Sequence, residues 1–264
     1  SVFGLYNADS KEFFFRDKVV LVNPQYIMHS DTLKYNTLSE IAYFFGPTTI
    51  ESEENTIYCR NGWYDTKNDL ARFSRDAFFT NKEQSLTGDS LFYDRNRGYG
   101  RADRNVVLRD SVQNTKITGQ LAEHFEEFNR SVVTRNALLT VIADNDSLML
   151  HADTLMSVLD ESDVRRVFAY NRARFFRTNI QGVSDSIVYN VSDSTIYLYH
   201  RPVIWSDNHQ LSANRIEVLA GRETVHKIYL YEAAFIASEH MGLGFDQVRG
   251  RDIIGHFTEN ELRK

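Results

Sequence analysis

A small residue returns eight times along this chain at intervals close to 30, each time two positions after another fixed place. The small positions are Ser30, Cys59, Gly88, Gly119, Ala152, Ser184, Ala213 and Gly250, separated by 29, 29, 31, 33, 32, 29 and 37 residues. Two positions earlier stand Met28, Ile57, Leu86, Ile117, Leu150, Leu211 and Val248, all apolar; Gly182 alone departs. A period of this length marks stacked units, none of which can bury its apolar face without a neighbour.

A second column keeps the same period. Lys18–Leu21, Pro47–Ile50, Asp76–Phe79, Asn105–Leu108, Asn136–Leu139, Arg172–Phe175, Pro202–Trp205 and Ala233–Ile236 align. The second residue of each is small or β-branched: Val19, Thr48, Ala77, Val106, Ala137, Ala173, Val203, Ala234. The fourth is large and apolar: Leu21, Ile50, Phe79, Leu108, Leu139, Phe175, Trp205, Ile236. Residues two apart share a strand face, so one face carries a small and then a large side chain in every unit. The first residue is polar or a breaker in seven of the eight segments, which reads as a strand entry.

One unit shows the local pattern. Leu86–Tyr93 reads as a strand, Asp94–Arg97 as a polar turn and Gly98–Ala102 as a short extended piece. Asp103–Asn105 reads as a second turn before the strand Val106–Leu108. Residues 36–39, 65–68, 160–163 and 190–193 supply matching turns, in which Asx and Ser side chains bond nearby backbone. Only 119–130 has a helix-like composition, and its place in the register makes it strand and turn. The expectation is an all-β chain of about eight stacked antiparallel repeats of ~30 residues, forming one repeat domain over 1–264.

Composition removes several function classes. A net charge of −6 opposes nucleic-acid binding, which needs a basic surface. No run approaches the roughly 20 apolar residues of a membrane helix. The chain opens at Ser1 without Met or a signal-like segment, as expected if a signal peptide has been removed. One cysteine forbids an internal disulfide and fits a reducing compartment or a bacterial periplasm.

Catalytic signals are poor. There is neither a Gly-x-Ser-x-Gly elbow nor a phosphate-binding loop, and Gly242-Leu-Gly244 reads as a turn. His200 and His209 flank Asp207 but read as loop histidines rather than metal ligands, so no metal and no cofactor is expected. Asp31, Arg60, Asp89, Gln120, Asp153, Asp185, Asn214 and Arg251 follow the small column and should point outward as a polar ladder. A catalytic pair such as Asp153 and Asp185, in the manner of a β-helix polysaccharide lyase or hydrolase, is the minority reading. Cys59 occupies a place that elsewhere holds Ser, Gly or Ala, and reads as a packing residue rather than a nucleophile. Among Arg165, Arg166, Arg172, Arg174 and Arg177, the set Arg172, Arg174 and Arg177 is a candidate anion contact, weighed against a solvated face.

Leu86–Asp94, Val183–Asn190, Pro202–Ala213 and Gly244–Phe257 resemble the repeats of the OstA-like (LptA/OstA) proteins, and the resemblance extends over nearly the whole chain. It implies an elongated, open, twisted β-jellyroll without catalytic residues. It also implies a periplasmic lipopolysaccharide-transport role, with acyl chains in the apolar interior and end-to-end strand pairing to like domains or to further copies of the chain. The long interval from Ala213 to Gly250 and the register near Gln120 depart from the family pattern. The residues thus suggest a non-enzymatic lipid carrier with the column Leu21 to Ile236 as its lining; a polysaccharide enzyme and a purely structural or adhesive array are the alternatives.

Overall fold

The computed structural model describes every residue except 144–145, 161, 163, 179, 221–224, 241, 243, 259–260 and 264. The chain divides into two compact units, one of residues 1–113 with 117–128, the other of 114–116 with 129–264. Both are built of antiparallel strands, and a single 3-10 turn at Glu126–Phe128 is the only helical element among the described residues.

Unit 1 contains β1 (Phe3–Asn7), β2 (Glu12–Asn23), β3 (Tyr26–Asn36), β4 (Ile41–Glu51), β5 (Thr56–Asp65), β6 (Leu70–Thr80), β7 (Gln84–Asp94), β8 (Tyr99–Asp110) and β9 (Thr115–Phe125). From β1 through β8 each strand pairs with its neighbours in sequence. The hairpin turns are fixed by their first residue. Asn36 Oδ1 accepts from the amides of Leu38 and Ser39, and Asp65 Oδ1 from those of Lys67 and Asn68. Asn7, Asn81 and Asp110 act alike in their own turns.

The long strands are bent near their middle. Among the described residues, seven pairs of chain neighbours stand in the left-handed region: Asp17-Lys18, Arg75-Asp76, Arg104-Asn105, Arg135-Asn136, Asn171-Arg172, His200-Arg201 and Glu232-Ala233. Gly46, at φ 80°, followed by Pro47, fills the same place in β4. Five of the seven pairs contain Asn or Asp, the side chains that tolerate this conformation best. The five pairs that lie within a strand are bulges: Arg16 faces Thr32 and Val19 faces Ser30, so Asp31 alone opposes Asp17 and Lys18. The sequence pattern marks these places as strand entries and Asp103–Asn105 as a turn, which holds only where strands begin at Val203 and Ala234, after His200-Arg201 and Glu232-Ala233. Elsewhere the structure corrects this, because β8 runs unbroken from Tyr99 to Asp110 through its bend.

The bend divides the strands of each unit into two limbs, and in unit 1 the inner faces of both limbs share one core. That core includes Leu33, Phe44, Phe73 and Leu91 from one limb, Met28 from the other, and Cys59 at the bend. Across the first limb runs a row in register: Phe15, Leu33, Phe44, Gly62, Phe73, Leu91 and Ala102. The Phe44 and Phe73 rings lie 6.1 Å apart on the strands flanking Gly62.

Unit 2 contains β10 (Arg130–Val141), β11 (Leu148–Leu159), β12 (Arg165–Arg177), β13 (Ile180–Asn190), β14 (Thr195–Tyr199), β15 (Val203–Ser206), β16 (His209–Ser212), β17 (Arg215–Ala220), β18 (Val225–Tyr231), β19 (Ala234–Glu239), β20 (Phe245–Gly250), β21 (Ile253–Thr258) and β22 (Glu261–Arg263). Here the bend becomes a break. β13 pairs with both β14 and β15, the two halves of one strand interrupted at His200-Arg201. The limbs then continue apart, one as β14–β17–β18–β21 and the other as β15–β16–β19–β20.

A side-chain clasp pins the loop before β11. Asp146 accepts from Arg177 Nε at 2.8 Å and from the Thr178 amide and hydroxyl at 3.0 and 2.7 Å. Burial alone would raise the Asp146 pKa, but the Thr178 bonds and Arg177 outweigh it and hold the carboxyl below the ordinary range. A depressed carboxylate contributes stability at neutral pH that disappears as pH falls through its folded value. Asp146→Asn should therefore cost about 1–2 kcal/mol at pH 7. In urea titrations the gap to wild type should close below about pH 4; a gap independent of pH would show that the charge contributes nothing.

Candidate functional site

The two sequence columns become two rows that cross the sheet. At the bend the small residues face one another: Val19 against Ser30, Ser30 against Thr48, Thr48 against Cys59, and Ala77 against Gly88. In unit 2 Ala137 faces Ala152, Ala173 faces Ser184 and Ala234 faces Gly250. The inside of a sharp bend leaves room only for short side chains. The polar members bond each other, as Ser30 Oγ and Thr48 Oγ1 do at 2.8 Å.

Cys59 is fully buried in this row, and burial pushes its thiol up to about 11. It is therefore a neutral packing group at physiological pH. A thiol-reactive dye at pH 8 should label the protein only after denaturant is added. Rapid stoichiometric labelling of the native chain would contradict this placement.

One step further along the strand lies the large inner row. In unit 1 it runs Leu21, Met28, Ile50, Ile57, Phe79, Leu86, Leu108, each against the next. The large column and the apolar companions of the small column thus interleave strand by strand. All but Met28 are only partly buried. Tyr26 stands beside the end of this row, and burial raises its phenol pKa.

In unit 2 the corresponding row is Leu139, Leu150, Phe175, Gly182, Ile204, Leu211, Ile236 and Val248. Here every large member except Val248 is buried. The row in unit 1 is half open, whereas that in unit 2 is closed. Gly182, the exception in the sequence pattern, is explained by its partner: a Cβ there would collide with the Phe175 ring.

Trp205 is not in this row. It lies on the outer face, and Ile204 takes the inward place. Pro202, rather than Val203, is the buried residue that follows the left-handed pair His200-Arg201, so this unit is shifted by one. One residue of shift reverses the face of every side chain that follows.

The outward polar column braces the bends. Arg60 pairs with Asp76 at 2.9 Å, and Asp89 with Arg104 at 3.2 Å and Asn105 at 3.0 Å. Gln120 accepts from the Asn105 amide at 3.3 Å. Asp153 is held by Arg172 at 2.6 Å, and Asp185 accepts from the Ser186 hydroxyl at 2.8 Å. His209 Nδ1 lies 2.7 Å from Ser238 Oγ, and no group of metal-ligating side chains occurs among the described residues.

The three candidate anion-binding arginines do not share a face. Arg172 stands at the bend with Asp153, and Arg177 is buried with Asp146. Arg174 is exposed on the outer face, opposite His151. Burial and then the charge of Arg174 lower the His151 pKa.

Residues 27–89, from β3 into β7, match the model of the family described as OstA-like protein. No curated protein matches the chain. Among solved structures the chain is similar to LptH from Pseudomonas aeruginosa, described as the LptA-homologous periplasmic component of a lipopolysaccharide transport device. The two are 12% identical, with a TM-score of 0.29, over 54% of this chain and 79% of that one.

Proposed function

We propose that this chain, OstA-like over residues 27–89, is a non-enzymatic periplasmic protein that binds lipopolysaccharide and takes part in its transport, holding acyl chains along the inner row of unit 1. The observation that carries the reading is the half-open row from Leu21 to Leu108, backed by the small residues of the bend. Apolar surface left partly in water gains free energy when an alkyl chain covers it, at roughly 25 cal/mol per Å². The closed row of unit 2 has less to gain.

Delivery requires continuity with further domains, and two strands are suited to it. Among the described residues β1 is exposed along its length and pairs only with β2, and β20 is largely exposed and pairs only with β19. Unpaired edges accept a further strand. We read them as the sites of end-to-end pairing with like domains or with other copies of the chain. Arg174 remains the one arginine of its trio available to an anionic group.

The test is photo-crosslinking to lipopolysaccharide from a probe at single positions. Adducts are expected from Phe79 and Leu108 and much weaker ones from Leu139 and Phe175. Absence of adducts from both Phe79 and Leu108 would overturn interior carriage.

A further inference from the structure

On the outer face of unit 2, over the limb that carries Leu139, two rows run in register and contain no Asp or Glu. One passes through His151, Arg174, Val183, Phe235 and Arg249. The other passes through Met149, Phe176, Gln181, Trp205 and Gln210. The places between hold only Leu138, Val203 and Ser212 in the first, and Thr140, Ala237 and Gln247 in the second. In a chain with a net charge of −6, these rows carry only positive formal charge.

They also expose large apolar groups that the core does not use. Phe176 is 50% exposed, Met149 42%, Val183 41% and Trp205 37%. The Trp205 Nε1–H is satisfied by Gln210 Oε1 at 3.2 Å, so its indole needs no partner beneath the surface. Arg174 and Arg249 have no carboxylate within ion-pair distance among the described residues. Acids reappear at the borders: Asp153 and Asp185 on the side of the bend, bonded to Arg172 and Ser186, and Asp207 and Glu239 at the far ends of β15 and β19.

Uncompensated guanidiniums beside exposed Trp, Phe and Met are the composition of a surface that enters the boundary layer of a charged bilayer. Water is a poor environment for the rings, and headgroup phosphates are good bidentate acceptors for Arg. We propose that this face rests on a membrane surface bearing anionic headgroups. Phe176, Met149 and Trp205 enter the interfacial layer, and Arg174 and Arg249 meet phosphate. The inference rests on the outer face alone and does not require lipid in unit 1.

The test uses the full chain carrying Trp63→Phe, so that Trp205 is the only tryptophan. It is mixed with vesicles of phosphatidylcholine alone or of equal parts phosphatidylcholine and phosphatidylglycerol, both free of lipopolysaccharide. Trp205 emission should shift to the blue with the anionic vesicles only, and the shift should weaken with added salt. Arg174→Gln with Arg249→Gln should lower partitioning about thirtyfold, taking roughly 1 kcal/mol for each cation. Both side chains point outward, so the variant should keep the wild-type circular dichroism. An unmoved emission, equal binding to the uncharged vesicles, or unchanged partitioning of the double variant would overturn the proposal. So would a shift that follows protein rather than lipid concentration, since a second copy of the chain would then be what covers the face.

Discussion

Phe44→Ala should destabilise unit 1 by about 3–5 kcal/mol, the range for emptying a fully buried aromatic site. Phe44 is wholly inaccessible, and its ring lies 6.1 Å from that of Phe73 with only a glycine on the strand between. Neighbours cannot fill the space cheaply. Leu33 and Gly62, its cross-strand partners, are fixed by ladder bonds on either side. The loss can be read in urea from Trp63, which stands on β5, in a Trp205→Phe background. Phe176→Ala, which truncates an outward ring, should change stability by no more than about 0.5 kcal/mol. A Phe44→Ala loss below about 1 kcal/mol would mean that the limbs relax into the cavity.

Gly62→Ala should be nearly as damaging, at about 3 kcal/mol, although it adds a single methyl group. The new Cβ would collide with the Phe44 ring and lie 2.6 Å from the Arg72 carbonyl oxygen. The ring could move, but the carbonyl belongs to the ladder and cannot. The two substitutions share a site and should not add. With Phe44 already Ala, the Gly62→Ala cost should fall, leaving only the clash with backbone. Full additivity would show that the ring is not the obstacle.

The sequence made the strand content and the period readable because both depend on local patterns. The Asx turns at Asn36 and Asp65 were also legible, since one side chain forms each. The bends are located correctly, but most of them read as strand entries where the strand in fact continues. The polar residues at Asp76 or Asn105 favour a left-handed backbone whether the chain is reversing or only bulging, and nothing local separates the two. The same limit cost the placement of Trp205, where a shift of one residue after Arg201 moved the ring outside. The columns did identify the inner row through Leu21, Ile50, Phe79 and Leu108. Its half-open state in unit 1 and its closure in unit 2 were not legible, because exposure depends on how the limbs approach rather than on which residues line them.

The pairing order has a kinetic consequence. From β1 to β8 every ladder joins strands adjacent in sequence, so contact order stays low for an all-β protein and each hairpin can add to the one before it without closing a long loop. This part should assemble progressively, as strands leave the ribosome. Beyond β13 the broken strands oblige β14 to wait for β17, β16 for β19 and β18 for β21. Those ladders carry the larger entropic cost of closure, and refolding of unit 2 should be limited by them.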